Sequence, residues 1–195
     1  MAKGRPREFD CEQALDKALE VFWRYGYEGA SLPALTEAMG INRPSLYAAF
    51  GNKESLFKKV LDRYAAGPAS HLKCALSAAT AREAVERFLY GSADLLGDPT
   101  HPRGCMVVQG ALSCGEGAES IKKDLTARRA AGETAMRMRF EQAIVDGDLP
   151  KDTNAADLAR YVATVAHGMS VLASGGATRD ELRHVVDTAM RAWPK

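Results

Sequence analysis

Cys105 sits in the run His101-Pro102-Arg103-Gly104-Cys105-Met106, where a thiol, an imidazole and a guanidinium fall within six residues. A thiol at a helix start beside positive charge ionises more readily, and its thiolate attacks electrophiles and oxidants. The same cysteine also reads as a small buried hydrophobe, which is the commoner fate of an unpaired thiol. Cys114 is a candidate resolving partner. If the segment between them is one helix, it lies about 13 Å away, too far to bond without rearrangement. Cys11 and Cys74 have no such surroundings. None of the four cysteines forms a CxxC pair or has a histidine at zinc spacing, so no metal site is expected. A thiol enzyme built on Cys105 would need a base and an anion site, and only His101 and Arg103 qualify locally. There is no Ser-His-Asp order, phosphate-cradling glycine loop or carboxylate cluster. The residues predict neither an enzyme nor a bound cofactor.

The cations tell more. Formal net charge is only +1, too small for a non-specific architectural binder of nucleic acid. The charge is unevenly spread, however. Lys3, Arg5 and Arg7 stand in the first seven residues with no acid among them. Between Gly40 and Tyr64 there are five basic residues against two acidic ones. A local basic surface on an otherwise balanced chain fits specific contact with a polyanion.

Short helices must position those cations. Leu15, Ala18, Leu19, Phe22 and Trp23 recur at helical spacing behind Asp10, an N-cap with Gln13 as its capping-box partner, and Gly26 is the expected stop. Ser31 caps a second helix with Pro33 in its first turn, ending at Gly40. Asn42 caps a third that carries Leu46, Tyr47 and Phe50. Two helices joined by the turn Met39-Gly40-Ile41-Asn42 make a helix-turn-helix, with Leu35, Ile41 and Leu46 as its core. The third helix then offers Asn42, Arg43, Pro44, Ser45 and Tyr47 to a major groove. Arg43 is the candidate reader, because its guanidinium can bond guanine O6 and N7 together. Ser31, Tyr47 and Lys53 suit phosphate oxygens, and the Lys3, Arg5, Arg7 arm suits a minor groove or the backbone.

The run SLPALTEAMGINRPSLYAAFGNKESLF resembles the DNA-binding signature of the TetR family of bacterial regulators. The Ser31 cap, Leu35 to Ala38, Gly40-Ile41-Asn42, Ser45-Leu46-Tyr47, Phe50 and Lys53-Glu54-Ser55-Leu56-Phe57 carry the likeness, over the first quarter to third of the chain. Pro33, Thr36 and Ala48-Ala49 depart from the usual residue types and bear on operator preference. The resemblance implies a homodimeric repressor on double-stranded operator DNA and an all-helical C-terminal half that binds an inducer. A small-molecule or reactive inducer would release the DNA. The Gly104-Cys105 pair before an apolar run also resembles one subgroup, some of whose members sense reactive compounds through cysteine.

The remaining sequence is helical in pattern: Leu56 to Tyr64 with a break at Gly67-Pro68, then 81–96, 105–112, 118–145, a helix opening near Asp152 or Thr153, and a last one after Gly175-Gly176 that shows Leu182, Val185, Val186, Ala189 and Trp193. Cys105 to Leu112 has strand propensity but no partner strand, so helix is the expectation. The chain thus reads as all-α, with a helix-turn-helix DNA-binding domain over 1–52 and a helical ligand-binding and dimerisation domain over 53–195. Ligand sites between helices are mostly apolar. The candidate walls are Phe88, Leu95, Met106, Val107, Met136, Phe140, Met169 and Leu172, with Cys105, and each reads equally well as core. Small residues (Ala155, Ala159, Ala163, Ala166, Gly168, Ala189) on the last two helices suit a two-fold interface or plain internal packing. His167 reads as an interior or interface histidine. No signal peptide or membrane-length apolar run is present, so the expected place of action is the cytoplasm, with reduced thiols.

Overall fold

The computed structural model describes residues 9–112 and 118–194, with residues 111 and 112 described by backbone alone. Among the described residues the chain is helical throughout, and no strand occurs. Helices α1 (Cys11–Gly29), α2 (Leu32–Met39), α3 (Arg43–Phe50) and α4 (Lys53–Ala66) come first. They are followed by α5 (His71–Leu76), α6 (Ala81–Leu96), α7 (Met106–Leu112), α8 (Glu119–Asp146), α9 (Ala155–Ser174) and α10 (Arg179–Arg191).

The capping residues read from sequence act as caps. Asp10 Oδ1 accepts from the Glu12 and Gln13 amides, Ser31 Oγ from Ala34 and Asn42 Oδ1 from Ser45. Three boundaries differ from the pattern. Gly26 takes φ +67°, yet one more turn follows before the Ala30 amide closes the helix on the Gly26 carbonyl. Asn154, rather than Asp152 or Thr153, caps α9, because its Oδ1 reaches the Ala156 and Asp157 amides. After the break at Gly67-Pro68 a short helix, α5, forms that the apolar spacing does not announce.

Two apolar clusters organise the molecule. One joins α1 to α4, with Leu35, Leu46, Leu56 and Val60 fully buried, and extends to Met106, Ile121 and Leu125. The other joins α6, α8, α9 and α10 around Leu89, Phe140, Met169 and Leu182. Burying Leu35 and Leu46 contributes about 2 kcal/mol each, which eight-residue helices such as α2 and α3 require, since they are too short to stand alone. Cys105 packs against both clusters. Arg63 ties α4 to α1, with Nε and Nη2 each 2.8 Å from the Asp16 carboxylate and Nη1 on Glu12.

Candidate nucleic-acid interface and cavity

The helix-turn-helix is assembled at Gly40. Its φ of +66° and ψ of +29° turn the chain in the left-handed region that glycine enters without penalty. The Gly40 and Ile41 amides cap α2 on the Glu37 and Thr36 carbonyls. Leu46 is completely buried beneath α3, which leaves Asn42, Arg43, Pro44, Tyr47 and Ala48 on one exposed face. Ser45 is half-buried at its edge. Asn42 spends Oδ1 on the cap, and Ser31 spends Oγ likewise. Each keeps its donor protons available, the Ser31 hydroxyl and the Asn42 amide hydrogens. Lys53 lies half-buried at the start of α4, its Nζ 4.7 Å from the centre of the Tyr27 ring. Burial pulls its pKa below the ordinary lysine value, and Glu28 partly restores it. Seven sequence candidates (Ser31, Asn42, Arg43, Pro44, Ser45, Tyr47 and Lys53) thus fall on α2, α3 and the start of α4. Lys3, Arg5 and Arg7 lie outside the described residues.

Behind this unit, α4 to α9 enclose a cavity of about 330 Å³ with walls that are chiefly apolar. Of the residues singled out as ligand walls, Phe88, Leu95, Cys105, Val107 and Met136 line it. Met106, Phe140 and Met169 do not, because their side chains point into the two cores and are 3%, 0% and 0% exposed. Leu172 is half exposed on α9. Tyr64, His71, Ser92, Arg128, Arg129, Glu133 and His167 also line the cavity. Of these, only Tyr64 and His167 drew notice in the sequence, and neither as a wall. Nothing in their spacing marks them, since the cavity is formed by helices far apart along the chain.

The polar groups of the wall are mostly engaged. Arg128 bonds Asp62 at 2.8 Å and Asp124 at 3.1 Å. Arg129 donates to the Val107 carbonyl at 2.9 Å and to Thr126 Oγ1 at 3.0 Å. His71 Nε2 lies 2.9 Å from Ser92 Oγ, and its ring stacks on Phe88. Burial lowers the pKa of His71, against a smaller opposing effect of the Pro68 backbone. Burial, and then Arg129, lower that of His167.

The loop before α7 joins the two regions. Trp23 of α1 donates its Nε1–H to the Gly104 carbonyl at 2.7 Å, in a buried bond. The same indole stacks on His101, with ring centres 5.2 Å apart, and meets Tyr64 edge-on at 4.9 Å. One residue on, the Cys105 amide donates to Ser170 Oγ of α9 at 2.9 Å. Cys114 lies outside the described residues. On α9 and α10, Ala155, Ala159, Ala166 and Ala189 are buried inside the chain itself, whereas Tyr161, Gly168, Val171 and Leu172 face outward. Among the described residues no three His, Cys, Asp or Glu side chains gather as metal ligands, and no helix is long and apolar enough to cross a membrane.

Comparison with known proteins agrees with this architecture. The family model described as bacterial regulatory proteins, tetR family, matches residues 14–60. The HTH-type transcriptional repressor ComR of Escherichia coli (strain K12) is 33% identical, the match spanning 100% of this chain and 93% of that protein. The repressor BdcR of the same organism is 31% identical, over 84% of this chain and 89% of that protein. A solved cysteine mutant of the TetR family regulator CifR, complexed with 26bp double-strand operator DNA, is 44% identical. It covers 97% of this chain and 100% of that one, with a TM-score of 0.93.

Proposed function

The chain belongs to the TetR family of bacterial regulatory proteins, and on that premise we propose that it represses transcription by binding operator DNA as a homodimer and releases it when a small molecule fills the cavity. It is a transcriptional regulator and not an enzyme. The observation that carries the operator reading is the exposed face of α3, with Asn42, Arg43, Pro44 and Tyr47 outward over the buried Leu46. A helix presented this way enters a major groove by its N-terminal residues. Arg43 and Ser45 are the readers in this proposal. Ser31, Tyr47 and Lys53 hold phosphates, Asn42 and Pro44 shape the face that meets the groove, and Lys3, Arg5 and Arg7 reach an adjacent minor groove or the backbone. Residues 1–52 then form the reading unit and residues 53–195 the effector and dimer unit. The outward Tyr161, Val171 and Leu172 of α9 support pairing there, because such apolar surface is stabilised when a second copy covers it. The place of action is the cytoplasm, where operator DNA is found.

Gel retardation of the DNA upstream of the chain's own gene tests the reading. Arg43→Ala is expected to weaken binding about 10- to 100-fold and to relax preference at one base pair in each half-site. Unchanged affinity together with unchanged preference would remove Arg43 from its role. Cys105 in the cavity wall favours a second version of the effector, one that alkylates this thiol, as the likeness to the Gly-Cys subgroup implies. Cys105→Ser should then abolish release by an electrophile such as N-ethylmaleimide, and persistent release in that variant rejects the thiol route.

A further inference from the structure

Tyr64 is 1% exposed in the wall between cavity and DNA-reading unit, and its hydroxyl has no aligned hydrogen-bond partner among the described residues. A buried donor left unmade carries a desolvation cost, which an acceptor brought by a ligand would remove. Burial drives the phenol pKa well above its ordinary value, the nearby Cys105 thiol adds to the rise, and the Met106 backbone opposes it. The group is therefore a neutral donor at every pH the protein meets.

Most of the other polar groups around the cavity are already committed, the His167 imidazole apart. Arg128 is neutralised by Asp62 and Asp124, and Arg129 has donors engaged by the Val107 carbonyl and Thr126. Glu133 faces Arg160 at 3.5 Å. His71 and Ser92 bond each other. A cationic ligand meets no carboxylate here that lacks an arginine partner, and an anionic one has only the remaining Arg129 donors to replace its hydration, whereas a neutral one needs no ionic partner.

We infer that the cavity takes an uncharged, largely apolar organic molecule with a single hydrogen-bond acceptor, and that this acceptor is bound by the Tyr64 hydroxyl. The inference rests on the reading of the cavity as the effector site. The volume of about 330 Å³ is near the lower end for ligand pockets and suits a compact molecule. The hydroxyl is sealed from water in this structure, so an acceptor reaches it only as the wall gives. That wall includes Cys105, which follows the Gly104 carbonyl held by Trp23. Ligand capture at Tyr64 thus loads the loop that is fastened to α1, and α1 supports α2.

Three probes of one skeleton test this by calorimetry on the full chain: 4-phenyl-2-butanone, butylbenzene and 3-phenylpropanoate. The ketone should bind about tenfold tighter than the hydrocarbon, the worth of one good buried hydrogen bond. Tyr64→Phe should close that gap to within about twofold and leave butylbenzene unchanged. The variant removes only a hydroxyl that makes no aligned hydrogen bond, so its thermal midpoint should not fall, which separates lost binding from lost folding. Equal binding of ketone and hydrocarbon, a gap that survives Tyr64→Phe, or tightest binding of the propanoate overturns the inference. Absence of saturable binding by all three overturns it as well. Ketone binding that depends on Tyr64 but does not release DNA upholds the ligand chemistry and instead rejects the effector role of the cavity.

Discussion

Trp23→Phe should loosen the joint between the DNA-reading unit and the cavity while leaving both folded. The substitution keeps an aromatic ring over His101 and beside Tyr64 but removes the Nε1–H that the buried Gly104 carbonyl accepts at 2.7 Å. An acceptor left unsatisfied in the interior costs about 1–3 kcal/mol. The smaller ring also leaves a void where Trp23 is 4% exposed, which adds about 1 kcal/mol. The expected loss of global stability is therefore about 2–4 kcal/mol, readable by urea denaturation at constant slope. The loss should concentrate in the loop, because Gly104 is the residue released. Site-resolved mass spectrometry of iodoacetamide labelling should show Cys105 alkylated at least about fivefold faster than in the parent, through more frequent local opening. Labelling of the exposed Cys74 serves as the internal standard. A stability change below about 0.5 kcal/mol, the range of ordinary surface substitutions, would mean that the bond contributes nothing. An unchanged Cys105 rate alongside a large stability loss would mean that Trp23 supports α1 alone and does not fasten the loop.

Gly104→Ala should destabilise by roughly 1–2 kcal/mol, since φ is +81° there and a Cβ would also push the Gln109 side chain aside; thermal denaturation checks it. Ser170→Ala removes the acceptor of the Cys105 amide and should cost about 1–3 kcal/mol by the same measurement, with little change in intrinsic DNA preference. The folded-state pKa values of His71 and His167 are lowered, chiefly by burial, so the unfolded chain binds more protons than the folded one as the medium acidifies. Stability should therefore be full above the unfolded histidine pKa of about 6.5 and decline as pH falls through it toward the folded values. His71→Gln should flatten that slope in a thermal midpoint series, and an unaltered slope would assign the effect elsewhere.

The DNA-reading unit was legible in the sequence because its determinants are local. Asp10, Ser31 and Asn42 cap within three residues of themselves, Gly40 turns where it stands, and Leu35 and Leu46 declare the buried face by spacing alone. The cavity was legible only in part, because a wall is a property of how helices face one another. Phe88, Cys105 and Met136 point inward to the cavity, while Met106, Phe140 and Met169, alike in chemistry, point into the cores. Helical periodicity says that a residue is covered and not what covers it. Tyr64 shows this most sharply. Its place in the apolar face of α4 follows from the sequence, but its surroundings are set by Cys105 and Trp23, forty-one residues away on either side.

That arrangement places the joint between the two regions in an unobvious position. Cys105 packs on both apolar clusters, and the single peptide unit in front of it is held on both sides, its Gly104 carbonyl by Trp23 of α1 and its Cys105 amide by Ser170 of α9. α9 also carries the outward Tyr161, Val171 and Leu172. A shift at Cys105 therefore strains one peptide unit held both by the helix that supports the reading unit and by the helix proposed to meet a second copy. Cores are close-packed and resist gradual deformation, so a peptide unit tied to two of them relaxes by a discrete rearrangement. If the two anchors respond together, Trp23→Phe and Ser170→Ala will be non-additive in stability, with a coupling of about 0.5 kcal/mol or more in a double-mutant cycle. Strict additivity would instead make them two independent props of one loop, and the path from cavity to DNA would have to run through α4 alone.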